Sequence, residues 1–174
     1  SLTDKPTIPS GELEYFDEVR NTSTPNATVP AHKIIPKGDE TSIDFVLSPK
    51  GTGAIIAQVP DDLTTGGAKR GADAVDFQKI RITAANVASG SNSVIMGGKD
   101  NKANASFATV AGGENNFVEK SYSFIGGGHL NRVKDQGDYS VVAGGYNNTC
   151  EDAYSVIGGG YGNSIYDFYG ENSV

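Results

Sequence analysis

The second half of the chain repeats one hydrophobic phrase. "SVIMGG", "SFIGGG", "SVVAGG" and "SVIGGG" begin at Ser93, Ser123, Ser140 and Ser155, and "ATVAGG" at Ala108 is a looser copy. Equivalent positions fall at Ser93, Ala108, Ser123, Ser140, Ser155 and Ser173, with spacings of 15, 15, 17, 15 and 18 residues. Each full copy reads small, apolar, apolar, small-or-Met, Gly, Gly, any, any, Asn, with Thr109 the one polar exception. The asparagines are Asn101, Asn116, Asn131, Asn148 and Asn163. A period of this length predicts a stacked solenoid in which each coil holds two short strands and two corners. The Gly pair and the Asn suit the corners, because both tolerate positive φ.

The columns of the repeat predict what stacks on what. Ile95, Val110, Ile125, Val142 and Ile157 form one apolar column, and Val94, Thr109, Phe124, Val141 and Val156 form its neighbour. Consecutive strand residues point to opposite faces, so both faces of this strand are expected to be buried. One fills the coil, and the other calls for a neighbouring chain. Ala103, Val118, Val133, Cys150 and Ile165, two residues after each Asn, form a second interior column. Cys150 is expected there as a small core residue. Phe107, Tyr122, Tyr139 and Tyr154 make an aromatic column, expected to be structural.

The first half is punctuated differently. All seven prolines lie between Pro6 and Pro60, whereas 15 of the 23 glycines and 11 of the 15 aromatics follow Gly90. The shift sets a boundary near Val87, dividing a β-rich segment (residues 1–86) from the repeats (residues 87–174). "NTSTPNATVP" reads as extended or loop-rich. "SIDFVLS" and "GAIIAQVP", separated by Pro49, Gly51 and Gly53, predict a hairpin over residues 43–59. "ADAVDFQKIRITAANVA" predicts a short helix with Val75, Ile80 and Ile82 on one side. A sixth phrase starts at Asn172–Val174, so a further coil or a capping domain is expected beyond it.

Charge and composition narrow the function. The net charge is −7 with 20% charged residues, which disfavours nucleic acid as a partner. No apolar run is long enough to predict membrane insertion. One cysteine excludes an intrachain disulfide and a cysteine-based zinc cluster.

Candidate chemistry is sparse. "GGGYGN" lacks the spacing of a nonapeptide calcium repeat, and no Gly pair is followed by Lys-Ser or Lys-Thr, so neither metal nor nucleotide cofactor is expected. His32 and His129 lie far apart with no nucleophile motif. Glu151–Asp152 and the pair Asp135 and Asp138 have nothing to set them across a sugar cleft. The chain therefore reads as non-enzymatic. Asn21, Asn26, Asn104 and Asn147 begin N-x-[ST] sequons. Solenoid insertions map to loops on binding faces, and the longer spacings place them at residues 134–137 and 166–170. Asp135 and Gln136 in the first, and Tyr166, Phe168 and Tyr169 in the second, are candidate contact residues. Tyr146 and Tyr161 join them, from the column Lys99, Glu114, His129, Tyr146, Tyr161 that follows the Gly pairs.

"ASGSNSVIMGG", "SYSFIGGGHLN", "DYSVVAGGYNN" and "AYSVIGGGYGN" resemble the head repeats of YadA-like trimeric adhesins, which also occur in phage tail fibres and in surface proteins of large algal viruses. The upstream "LTDKPTIPSG" and "VLSPKGTGAIIAQVPD" look like viral fibre segments. The resemblance covers about half the chain. It implies an all-β fold in which a left-handed parallel β-roll of about 15-residue coils packs as a homotrimer. It also implies a virion surface fibre that binds host cell-surface glycan or protein without cleaving it. A bacterial cell-surface adhesin that binds matrix proteins and a polysaccharide-degrading tailspike are the alternatives.

Overall fold

The computed structural model describes residues 16–21, 31–36 and 46–166. The chain divides into two units, Ser1–Ser48 and Pro49–Val174. In the first, strands Phe16–Asn21 and Ala31–Pro36 pair antiparallel, with Phe16 opposite Pro36 and Asn21 opposite Ala31.

The second unit is a parallel β-solenoid. Two-residue strands stack coil upon coil because each backbone group finds its partner in the next coil. Seven strands form the first sheet: Ile55–Ile56, Val75–Asp76, Val94–Ile95, Thr109–Val110, Phe124–Ile125, Val141–Val142 and Val156–Ile157. Five form the second: Lys102–Ala103, Phe117–Val118, Arg132–Val133, Thr149–Cys150 and Ser164–Ile165. Every pairing is parallel and in register, Val94 with Thr109 and Thr109 with Phe124. The second residue of each strand points inward. Ile95, Val110, Ile125 and Val142 therefore share a core with Ala103, Val118, Val133 and Cys150. All eight are fully buried, as the repeat columns predict.

The roll begins earlier than the glycine and aromatic count implied. Ile55–Ile56 pairs in parallel with Val75–Asp76, and that strand pairs with Val94–Ile95. The expected hairpin over residues 43–59 is thus corrected: residues 46–49 carry no strand, and residues 43–45 lie outside the described residues. "GAII" supplies a solenoid rung, because a two-residue strand gains its hydrogen bonds from the coil above rather than from a hairpin arm. The expected short helix is also absent. Its sequence is one long coil, with Val75–Asp76 in the first sheet and parallel bridges from Ile80 to Lys99 and from Ala88 to Ala103. The boundary accordingly falls at Ser48/Pro49 rather than near Val87.

The asparagine column does more than turn corners. Asn101, Asn116, Asn131 and Asn148 are fully buried. Each side-chain carbonyl accepts the backbone N–H of the next asparagine, at 3.0, 3.0, 3.0 and 2.9 Å. The Asn116 Nδ2 donates to the Gly112 carbonyl of its own coil at 3.0 Å and to the Gly128 carbonyl of the next at 2.9 Å. With donors and acceptor satisfied, the amide can be buried without the penalty of an unpaired polar group. Positive φ falls one residue earlier, at Asp100, Asn115, Leu130 and Asn147. The second Gly of each pair does turn the corner: Gly113 has φ 81°, and a Cβ there would strike the Gly128 carbonyl.

The first coils close this ladder with a polar core. Asp76 occupies the position that Ile95 takes one coil later, and its Oδ2 binds Arg70 Nε at 2.7 Å with both side chains buried. Gln78 starts the ladder, its Oε1 accepting the Asn101 N–H at 2.6 Å. Asp100 Oδ1 accepts the Ile82 N–H at 2.6 Å and Asn86 Nδ2 at 2.8 Å.

Candidate interaction surfaces

The two sheets share one interior and present different exteriors. On the first sheet the outward positions are Ile55, Val75, Val94, Thr109, Phe124, Val141 and Val156. The residues that follow each strand are Ala57, Phe77, Met96, Ala111, Gly126, Ala143 and Gly158. None carries a charge. Val156 is 67% exposed, Met96 55%, Phe77 41% and Phe124 37%. Six rung steps of about 4.8 Å make this apolar strip roughly 29 Å long. Burial of both faces was expected from the alternation; within one chain only the inner face is covered.

The second sheet shows Lys102, Phe117, Arg132, Thr149 and Ser164, followed one residue beyond each strand by Asn104, Glu119, Lys134, Glu151 and Tyr166. Its charges pair along the axis: Lys102 with Glu119 at 2.8 Å and Lys134 with Glu151 at 2.8 Å. Arg132 lies over the Phe117 ring, 4.6 Å from its centroid. The Glu151 hydrogen bond, joined by that of Asp135, holds the Lys134 ammonium above its ordinary pKa. This face is made for water.

The corners carry two ladders. In the first, Phe107, Tyr122, Tyr139 and Tyr154 stack with centroids 4.8, 4.9 and 5.1 Å apart and planes within 9° of parallel. The second runs through Lys99, Glu114, His129, Tyr146 and Tyr161, joined by parallel bridges. Lys99 Nζ meets Glu114 Oε1 at 2.6 Å. That hydrogen bond raises the Lys99 pKa and lowers that of Glu114. His129 sits edge-on to Tyr146, and Tyr146 stacks on Tyr161 at 5.2 Å. Ring faces cover one another from Phe107 to Tyr154 and between Tyr146 and Tyr161, whereas Tyr154 and Tyr161 at the ends of the ladders stay largely exposed.

The predicted contact residues fall into two groups. Tyr146 and Tyr161 stand on the second ladder, 40% and 76% exposed. Asp135 and Gln136 lie at the other end of the second sheet, where the Gln136 N–H donates to the Glu151 carbonyl at 3.1 Å. Tyr166 belongs to that end, its neighbour Ile165 pairing with Cys150 beside Glu151. Phe168 and Tyr169 lie outside the described residues. The uncharged outer face of the first sheet was only half legible: the Val94 column marked it, whereas Met96, Ala111 and Ala143 passed as spacers before the glycines.

Among the described residues no three metal-ligating side chains gather, and no helix is long and apolar enough to cross a membrane. Of the carboxylates considered for catalysis, Glu151 and Asp135 pair with Lys134 at 2.8 and 3.0 Å and Asp138 with Lys120 at 3.9 Å. Comparison with family models, with curated proteins and with solved structures found no match for the chain.

Proposed function

We propose that this chain is a segment of a homotrimeric fibre on a virion surface, a tail or capsid fibre. In this reading it attaches the particle to host cell-surface glycan or protein. Its roll is a left-handed YadA-like head repeat, and three copies pack around one axis through the outer face of the first sheet.

The observation that carries this reading is the uncharged strip on that face. An exposed apolar strip of this length, beside a second sheet laced with ion pairs, marks a surface that a partner covers. A neighbouring copy is the simplest partner, because it offers the same rung spacing and an equally apolar strip. Val156, Met96, Phe77 and Phe124 are already partly covered, so removing the rest of each from water would contribute a fraction of the about 1.5–3 kcal/mol that full burial of such a side chain brings. The charged sheet and the two corner ladders then face outward. Three copies of Tyr146, Tyr161, Tyr166, Asp135 and Gln136 give weak contacts a multivalent form. The mechanism is rigid display and avidity, with no bond broken.

Sedimentation equilibrium of the purified chain, paired with binding to host cells or a glycan array, tests both parts. A species three times 18.1 kDa that binds cells and leaves glycans uncut is expected. A stable monomer removes the assembly, and a trimer without affinity for any cell surface removes the attachment role.

A further inference from the structure

Phe107, Tyr122, Tyr139 and Tyr154 sit at φ values of 58, 58, 60 and 58°, where Asp73 and Asn92 stand in the coils before them at 54 and 56°. Left-handed backbone is uncommon for bulky residues and costs less for Asn or Asp. The chain nevertheless places aromatic rings there in four coils, and the rings stack.

The geometry of these stacks has a chemical consequence. Tyr122 and Tyr139 are parallel to within 3° at 4.9 Å, Tyr139 and Tyr154 to within 8° at 5.1 Å, and Tyr146 and Tyr161 to within 3° at 5.2 Å. Rings repeated by one rung's translation bring each Cε of one phenol close to the same carbon of the next. All five side chains are open to solvent, from 40% for Tyr146 to 78% for Tyr154. A dissolved oxidant can reach them, and exposed rings can turn on the fast timescale of rotamer motion.

We propose that Tyr122–Tyr139–Tyr154 and Tyr146–Tyr161 are preorganised sites of oxidative coupling, forming dityrosine staples between successive coils. The oxidant is a peroxidase acting with hydrogen peroxide. Each phenol gives up one electron and one proton, and the two phenoxyl radicals join through a Cε–Cε bond. The hydrogens on the joined carbons then pass to the oxygens, which restores both phenols. One link consumes two phenols and one hydrogen peroxide and yields one dityrosine and two waters. Holding both rings on adjacent rungs makes the coupling effectively unimolecular, which favours it over links between particles. A Tyr122–Tyr139 staple would span the coil that carries the insertion at residues 134–137, where the regular spacing is broken.

The test is peroxidase treatment of the dilute folded protein, followed by dityrosine fluorescence, intact mass and digestion before aspartates. That digestion puts Tyr122 on residues 100–134, Tyr139 and Tyr146 on 138–151, and Tyr154 and Tyr161 on 152–166. The expected result is a single-chain band on a denaturing gel, the loss of two hydrogens per link, and joined peptides of these pairs. In urea the same intrachain links should fall about tenfold, since the preorganisation is gone. Tyr139→Phe keeps the stack, as circular dichroism would verify, but removes the central phenol. It should abolish the join between 100–134 and 138–151 while the Tyr146–Tyr161 link persists. Three results overturn the proposal: links only between chains, an equal yield from unfolded protein, or a Tyr139→Phe peptide map identical to that of the unaltered chain.

Discussion

The two sheets of the roll share one period and one hydrogen-bonding scheme, and they differ in what they turn outward. Above Ile95, Val110, Ile125 and Val142, the first sheet displays Val, Thr, Met, Phe, Ala and Gly. Above Ala103, Val118, Val133 and Cys150, the second displays Lys102, Glu119, Arg132, Lys134 and Glu151. The interior gives both the same support, so the two sheets differ only in the side chains they turn outward. Paired charges suit water, and an uncharged strip does not. Per-coil repetition lengthens either surface by one rung at a time, with the same rung spacing and different side chains on each rung.

The largest expected effect follows from placing a charge on each face in turn. Val141→Asp should dissociate the proposed trimer, because an unpaired charge buried at an interface costs about 3–5 kcal/mol in each copy. Thr149→Asp, on the second sheet, should leave the sedimenting mass unchanged. If Thr149→Asp dissociates the assembly and Val141→Asp does not, the two faces have been assigned the wrong way round.

The interior that holds both faces in register comes next. Asn131→Ala removes the acceptor for the Asn148 N–H and the donor to the Gly127 and Gly145 carbonyls. Buried groups left unpaired should lower stability by about 3 kcal/mol, read as a fall in the urea midpoint. A change below a few tenths of a kcal/mol would mean that water replaces the ladder and that the asparagines are not what aligns the sheets.

The smallest effect concerns charge pairing at the corner. Glu114 has its pKa lowered by the Lys99 hydrogen bond, so this pair stabilises the fold above the unfolded carboxyl value of 4.5. That contribution is lost as pH falls through the lower folded value. Lys99, raised above 10.5 by the same bond, contributes below that value and loses its share as pH rises through the higher folded one. Both groups are exposed, so salt should weaken the effect. Glu114→Gln should flatten the acid limb of the melting profile slightly. An unchanged acid limb would show that the contact adds nothing to stability.

The regular coils were legible because a repeat states its own alignment. Once Ser93 to Ser155 were in register, the inward columns and Cys150 followed from strand alternation alone. The first coils were not, because Asp76 stands where an Ile was to be expected and Gln78 where the ladder needs its first amide. A polar residue in a core column reads as a surface residue until its partner, Arg70, is seen beside it. The strand at Ile55–Ile56 was expected but its partner was not, because two residues carry no periodicity to show that they pair in parallel with Val75–Asp76 rather than with a hairpin arm.

The sequence by itself determined the coil length, the two interior columns and the place of the glycine corners, since each depends on local sterics or on strand alternation repeated in register. Tertiary structure decided three things that depend on contacts between coils. The asparagines became a buried ladder rather than turns, because an amide is tolerated in the core only when the next coil supplies its partners. The roll extended back to Pro49, because an ion pair can fill a core position that an isolated charge cannot. The aromatic column became a face-to-face stack, because the rung spacing sets the rings about 5 Å apart along one corner.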